Sequence, residues 1–249
     1  MVLVVIKALD ILEYVARDSG RTYSLTEIAA GLNMNQATCV NILQTLVEKS
    51  YLEHLGRKKG YRLGPMAYNL TNNQSYSNNL IAAAKDVMEG LTQSLNETSL
   101  LGVIRNQKRF IVHQVNSDQD LQVRSQTERS VYETATGRLL LAYMSAKEYA
   151  AFVAALGLPD ADVWPEATTE ENLAAEVAQI RADELCVTLS KSHIIGLAVP
   201  IWEKDRVVAS LSVFMPQIRC SATRKKEVIQ ALRQAARQIN QQLAGSYAA

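Results

Sequence analysis

The stretch that most constrains this chain is residues 35–49, NQATCVNILQTLVEK, which predicts a helix with two unlike sides. At 100° per residue, Cys39, Val40, Ile42, Leu43, Leu46 and Val47 fall together, while Ala37, Thr38, Asn41, Gln44 and Thr45 fall opposite them. One side packs. The other offers small hydroxyl and amide groups with almost no charge. Such a face suits solvent, and it also suits base edges in a DNA major groove, where Asn and Gln pair with adenine and Thr meets a thymine methyl.

The neighbouring residues favour the second reading. Residues 4–18 repeat apolar positions at helical spacing through Val5, Ala8, Leu9, Leu12, Val15 and Ala16, and Ser19-Gly20 stops them. Ser24-Leu25-Thr26-Glu27 is a capping box, so a short helix starts there and buries Leu25, Ile28, Ala29 and Leu32. A turn over 32–35 then leads into the two-sided helix, giving the proportions of a helix-turn-helix. Beyond it, strand 51–55, a glycine-bounded turn 56–60 and strand 61–64 form a hairpin wing. Between His54 and Gly64 lie Arg57, Lys58, Lys59 and Arg62 and no acid, a charge set suited to DNA phosphates.

Composition narrows the classes available to the rest. At 249 residues and 48% hydrophobic, the chain is long enough for two ordinary domains. Its net charge of +1 divides unevenly, 8 Lys/Arg against 6 Asp/Glu in the first 75 residues and 18 against 19 afterwards. No apolar run has the length of a membrane span, and MVLVVI passes straight into a helix pattern, so a cytoplasmic, non-membrane protein is expected. Cys39, Cys186 and Cys220 are odd in number and widely spaced, which argues against a disulfide framework or a zinc site; no metal or cofactor is expected.

The run Leu25-Thr26-Glu27-Ile28-Ala29, then Ala37-Thr38, Leu43-Gln44-Thr45-Leu46 and Gly60-Tyr61-Arg62-Leu63-Gly64, resembles the winged helix-turn-helix of the IclR-type family of bacterial transcription regulators. Where that family usually carries Lys-Ser-Thr and, three places on, an Arg, this chain has Gln36, Ala37, Thr38 and Asn41. Two positive charges are missing from the reading helix, which shifts phosphate attraction to the wing. Base contacts are expected from Gln36, Ala37, Thr38, Asn41, Gln44 and Thr45, and phosphate contacts from Arg57, Lys58, Lys59 and Arg62.

Residues 66–70 and 80–95 read as helices interrupted near Asn72 to Ser75, and the second carries an apolar stripe of Leu80, Ala83, Ala84, Val87, Leu91 and Leu95. That stripe suits packing on its own domain or on a second subunit. Strands follow at 100–105, 110–115 and 121–125, with a turn at 106–109; helices at 136–144, 145–156 and 168–185, the last two capped by Ser145 with Glu148 and by Thr168 with Glu171. Strands return at 186–189, 194–201 and 207–215, and a helix closes at 221–243. This order reads as an antiparallel-rich α+β domain and not as a βαβ nucleotide fold.

The second half is similar to the same family through Ala135-Thr136-Gly137-Arg138, Leu140 to Tyr143, Ala198-Val199-Pro200-Ile201 and 207–216. The resemblance implies a GAF-like domain that binds a small organic acid in a pocket beside the sheet. Its contacts would come from Thr136, Gly137 and Leu140 on the helix, Thr188 and Ser190 in the 188–193 loop, Gly196 where a Cys is common, Ser212, and Phe214, where the family often has Ser. Thr136 and Gly137 open a helix whose free amides suit an anion. Phe214 and Met215 in place of Ser-Gly predict a larger or more apolar pocket and an effector beyond two-carbon acids.

Enzyme readings have little support in the residues. His54, His113 and His193 lie at no metal or triad spacing, and neither Ser190, Ser192 and His193 nor Cys186 and His193 has a third orienting group. Trp164 and Trp202 read as packing residues. The expected architecture is a winged helix-turn-helix over 1–75, a linker helix over 76–98 and a GAF-like antiparallel sheet domain with flanking helices over 99–249. The expected partners are operator DNA, a small-molecule effector and further copies of the chain, as a homodimer or a dimer of dimers. A DNA-binding scaffold whose second domain only oligomerises, and an enzyme with a DNA-binding appendage, are the alternatives.

Overall fold

Side-chain caps fix where the first helices begin. The Ser24 hydroxyl accepts the Glu27 amide at 3.2 Å, while the Glu27 carboxylate accepts the Ser24 amide at 2.8 Å. The Asn35 side-chain oxygen accepts the Ala37 amide at 2.8 Å. The computed structural model describes residues 2–18, 21–56, 59–71, 78–123 and 125–245, and the chain divides into two units, 1–75 and 76–249.

In the first unit, helices α1 (Leu3–Ala16), α2 (Leu25–Gly31) and α3 (Gln36–Glu48) precede the hairpin β1 (Leu52–His54) and β2 (Tyr61–Leu63), and α4 (Pro65–Thr71) follows. Ile11, Val15, Ile28, Cys39, Leu43 and Leu52 form its core. Removing each such side chain from water contributes about 2 kcal/mol. An isolated bridge joins Tyr23 to Tyr61, so the hairpin is tied to the residues ahead of α2. Gly60, at φ +76°, lies against that segment: a Cβ there would stand 2.4 Å from the Tyr23 carbonyl oxygen.

Two expectations for this unit change. Val5 and Leu9 of α1 do not pack in the core but are each 53% exposed, together with Val2, Leu3 and Val4. Val40, assigned by periodicity to the packed side of α3, is exposed among its polar residues. Periodicity gives the direction of a side chain, and here nothing in the unit covers that direction.

In the second unit, α5 (Asn78–Leu95) leads into a six-stranded sheet of β3 (Thr98–Arg105), β4 (Lys108–Val115), β5 (Glu128–Ser130), β6 (Cys186–Leu189), β7 (Ile194–Glu203) and β8 (Arg206–Pro216). The strand order is β5-β4-β3-β8-β7-β6, and every neighbouring pair is antiparallel. Between β5 and β6 lie α6 (Ala135–Ala142), α7 (Ala146–Leu156) and α8 (Glu170–Asp183); α9 (Ala222–Gly245) closes the chain.

Strand alternation divides the sheet into two unlike faces. Leu101, Val103, Leu197, Val199, Leu211, Val213 and Met215 pack with the stripe of α5 and with Val228, Leu232, Ile239 and Leu243 of α9. The helix over 80–95, expected within a linker, thus buries its stripe in its own unit. On the opposite face Leu100, Gly102, Gly196, Ala198, Ser210, Ser212 and Phe214 meet α6 and its neighbours.

The expected strand over 121–125 is absent among its described residues. Their polar groups are used elsewhere: Arg219 donates to the Leu121 carbonyl at 3.1 Å and the Gln122 amide to the Ser117 carbonyl at 2.6 Å. Val123 turns into an apolar cluster with Leu100 and Phe214. Arg219 also makes a two-point ion pair with Glu97, at 2.6 and 2.7 Å, and so anchors this loop to the start of β3. The cap of α8 is Thr169, accepting the Asn172 amide at 3.2 Å, and not Thr168, which ends the 3₁₀ turn Pro165–Ala167.

Candidate DNA-reading face and effector site

On α3, Gln36, Ala37, Asn41, Gln44 and Thr45 are exposed and Thr38 is half-buried. The first turn of the helix carries no acid, so nothing there repels a phosphate from its amide end. Two of these side chains already have local partners. The Thr45 hydroxyl donates to the Asn41 carbonyl at 3.0 Å, and Gln44 donates to Glu48 at 3.4 Å. Asn41 sits mid-face with Val40 beside it, an amide next to an apolar contact.

Lys59 is exposed at the hairpin tip. Arg57 and Lys58 lie outside the described residues. Arg62 faces Glu53 across the β1–β2 ladder, and its Nε donates to the carboxylate at 2.7 Å. Both partners are largely solvated, so this pair is weak and competes only modestly with a phosphate.

In the second unit the sheet brings Thr136, Thr188, Gly196, Ser212 and Phe214 to one face. Thr136, 1% exposed, donates its hydroxyl to Ser212 Oγ at 2.9 Å, and Ser212 in turn reaches the Leu100 carbonyl at 3.3 Å. Gly196 lies opposite Thr188 in the β6–β7 ladder, and the Phe214 ring crosses it: a Cβ there would stand 2.7 Å from Phe214 Cε1 and 3.0 Å from Thr188 Oγ1. Phe214 clusters with Leu100, Val123, Ile111 and Ile194. That cluster is apolar, and the ring fills the space beside Gly196 where a larger pocket was expected.

Three expected contributors stand apart from that group. The Gly137 amide is taken by the Thr134 hydroxyl at 3.0 Å, and a Cβ on Gly137 would stand 2.2 Å from the Val131 carbonyl oxygen, so this glycine serves close packing. The Ser190 hydroxyl accepts the Ile194 amide at 3.2 Å within its own turn. Leu140, one helical turn beyond Thr136, borders a different cavity.

That cavity, of about 790 Å³, lies between the far end of α6, α7, α8 and the β7–β8 hairpin, with Tyr143, Tyr149, Arg181, Trp202 and Arg206 in its walls. The Tyr143 and Trp202 rings meet edge to face at 5.1 Å. Burial pushes the Tyr143 hydroxyl up to about 12, so it stays protonated and able to donate. Arg181 donates to the Ala142 and Met144 carbonyls, closing the carboxy-terminal end of α6. Periodicity cannot announce this cavity, because its walls come from the end of β3, from α6, α7 and α8, and from the β7–β8 hairpin.

Sequence reading also missed Arg109, which it placed in a turn. The turn is confined to Asn106 and Gln107, and Arg109 belongs to β4 opposite Ile104. Only 1% of it is exposed. Burial, and then the nearby Arg129 charge, push its guanidinium down to about 10, so it is still charged at neutral pH.

Nucleophilic chemistry finds no support in these surroundings. Cys186 is buried against α6 and α8, and its thiol is pushed up to about 12 by burial. His193 pairs with Gln217 at 3.0 Å. Among the described residues no His, Cys, Asp or Glu cluster has the geometry to hold a metal ion, and no helix is long and apolar enough to cross a membrane.

Comparison with known proteins accounts for both units. Residues 4–56 match the IclR helix-turn-helix domain, and residues 74–241 match the bacterial transcriptional regulator IclR C-terminal domain. The chain is 26% identical over 244 residues to the HTH-type transcriptional regulator KdgR of Escherichia coli strain K12, covering 96% of this chain and 92% of that protein. It is 25% identical over 240 residues to the regulator BhcR of Paracoccus denitrificans, covering 94% and 85%. The Thermotoga maritima IclR superposes with a TM-score of 0.71 at 22% identity, over 96% of this chain and 98% of that one. An IclR homolog of Microbacterium hydrocarbonoxydans, crystallised with 4-hydroxybenzoate, superposes at 0.73 and 21% identity, over 97% and 99%.

Proposed function

Because the chain belongs to the IclR-type family of bacterial transcriptional regulators, DNA-binding proteins with a carboxy-terminal effector domain, we propose that it reads its operator with Asn41 at the centre of the α3 face. Gln36, Ala37, Thr38, Gln44 and Thr45 surround that contact, and Val40 adds an apolar surface for a thymine methyl. Lys59, with Arg57 and Lys58 beside it in sequence, holds phosphates, as does Arg62 once it shares or leaves Glu53. The observation that carries this reading is the exposed, acid-free first turn and amide face of α3 directly ahead of a basic hairpin.

The effector is a small organic acid taken up on the α6 face of the sheet, near Thr136, Ser212 and Phe214. The apolar cluster around Phe214 favours an acid with an apolar body over a two-carbon one. Binding changes operator affinity by as much as the ligand distinguishes two arrangements of the protein, and DNA changes ligand affinity reciprocally. Two chains act together, singly or as a dimer of dimers, on half-sites spaced by whole helical turns. The apolar side of α1, with Val2, Leu3, Val4, Val5 and Leu9 exposed, supports self-association. The protein works in the cytoplasm, where its DNA is.

The test is binding of full-length protein to genomic fragments, including the one upstream of its own gene, with and without a panel of aromatic and aliphatic acids. Selection of one fragment, and a change of its affinity by one acid, is the expected result. An acid that binds while operator affinity stays constant defeats the linkage and leaves a DNA-binding scaffold. Consumption of the bound acid would make the second unit an enzyme.

A further inference from the structure

Two arginines lie on the α6 side of the sheet, Arg109 buried and Arg138 half-buried, and the protein treats them differently. Arg138 is held closely: its Nε donates to the Tyr132 carbonyl at 2.7 Å, an Nη donates to the Val163 carbonyl at 2.6 Å, and the guanidinium stacks 4.2 Å over the Trp164 ring. Arg109 is not. Its Nη atoms reach the Gln126 carbonyl at 3.1 Å, the Thr127 carbonyl at 3.4 Å and Ser125 Oγ at 3.3 Å, all neutral and all long for a charged donor. Its Nε is buried without a partner among the described residues. Glu133, a carboxylate whose charge acts on Arg109, already faces Arg129 at 3.8 Å and is exposed to solvent.

A buried charge is retained only when something compensates its lost hydration; Arg138 has short bonds and an aromatic face, whereas Arg109 has three long bonds to one loop and an Nε unpartnered among the described residues. Further polar groups without partners among the described residues stand near it. Gly102 lacks a side chain, and around the place a Cβ would occupy stand Thr136 Cγ2 at 2.5 Å and Arg109 Cδ at 3.5 Å. Ser210, opposite Gly102 in the β3–β8 ladder, is buried with its Oγ unpartnered among the described residues. Thr136 belongs to the first turn of α6, and there the cap Thr134 takes only the Gly137 amide. The Ala135 and Thr136 amides have no acceptor among the described residues. Gln126 and Thr127, which cover the guanidinium, are themselves exposed, so one loop separates Arg109 from solvent.

We propose that Arg109 is the anion-binding group of the effector domain, where an organic carboxylate replaces the Gln126 and Thr127 carbonyls on the guanidinium beside Thr136. This rests on the reading of the second unit as effector-binding. It adds the ligand's charge, the residue that recognises it, and the loop that must yield: residues 125–127 hold the cation while the site is empty and are released when the carboxylate arrives. The apolar body of the ligand then extends toward Leu100, Val123 and Phe214.

The experiment is thermal melting of the full-length protein with acetate, pyruvate, benzoate and 4-hydroxybenzoate, with neutral acetamide and benzamide, and with sulfate and phosphate. Ionic strength is fixed with chloride throughout. A ligand that binds only the folded protein raises Tm by mass action. The wild type is expected to melt several degrees higher with at least one carboxylate and not with its amide. Arg109→Met, which keeps the aliphatic bulk, is expected to lose that shift, and Arg109→Gln, which can still bond the loop carbonyls, to lose it too. If Arg109→Met fails to melt cooperatively, Arg109→Gln decides. Equal carboxylate shifts in wild type and variant, or none in either, overturn the proposal, and a response confined to sulfate or phosphate overturns the organic class. Operator binding is measured on the same samples. If it is intact while the carboxylate shift does not depend on Arg109, the Arg109 assignment falls and the regulator reading stands; if wild type selects no operator, it is the regulator reading that falls.

Discussion

Phe214 lies across Gly196, close enough that a Cβ on the glycine would stand 2.7 Å from the ring. The two residues are register partners in the β7–β8 ladder, so their compatibility is fixed by the backbone. Gly196→Cys alone should destabilise the protein by about 1–3 kcal/mol through overpacking. Phe214→Ser alone, which leaves a cavity, should cost about 3 kcal/mol or more. Combined, they should cost clearly less than the sum, because each removes the other's defect. Denaturant unfolding of the four proteins measures this, and strict additivity would mean that the ring moves aside at no cost. With the ring gone and only a thiol added, the double variant should also accept bulkier and more polar acids than the wild type, read by the same melting shifts.

Asn41 and Lys59 should fail in different ways. Asn41→Ala is expected to cost about 1–3 kcal/mol on the selected operator and to flatten discrimination among base sequences. Lys59→Ala should weaken all sequences alike and reduce the slope of log affinity against log salt by about 1. Glu53→Gln, which releases Arg62 from its 2.7 Å bond, should strengthen binding most at low salt. Salt titrations of all three check this; a Lys59→Ala slope equal to wild type would remove the wing from the interface.

Leu9 is 53% exposed on α1, so Leu9→Glu should change the stability of the isolated fold by less than about 0.5 kcal/mol. If α1 joins two copies, the substitution should shift sedimentation toward the monomer and shorten the protected stretch of operator by half. An unchanged sedimentation profile would place the self-association surface elsewhere.

The thiols should differ in reactivity in a way that burial sets. Cys39 and Cys186 are buried and Cys220 is half-buried, and burial pushes all three thiols up from their ordinary range. Iodoacetamide at neutral pH should label Cys220 slowly, and Cys39 and Cys186 only in denaturant. Mass spectrometry of the digested protein reads the order. Early labelling of Cys186 would show that the packing around α6 opens.

What was legible in the sequence was what neighbours in sequence determine. The capping boxes at Ser24 and Ser145 involve residues three apart, and strand 186–189 is bounded by its own alternation. Val40 and Leu9 were misplaced for one reason: a helical period says which way a side chain points and not whether another element waits there. Residues 121–125 carry a strand-like composition, but Arg219, nearly a hundred residues on, claims the Leu121 carbonyl. Arg109 was hidden for the same reason, since a charged residue beside a turn looks solvated until the 125–127 loop is seen to cover it. On the α6 side of the sheet, five expected positions meet because β6, β7, β8 and α6 converge, and no spacing in the sequence could have excluded Gly137 or Ser190 from that group.

Strand β8 alternates without interruption between the two faces of the sheet, Leu211, Val213 and Met215 toward α5 and α9, Ser210, Ser212 and Phe214 toward α6. Its odd positions fill the core shared with α5 and α9, while its even positions meet Thr136 and pack around the Phe214 ring. Two kinds of packing constraint therefore act on separate residues of one strand. On the reading proposed above, exchange of Phe214 together with Gly196 would change the compound recognised while leaving the spine of odd positions intact.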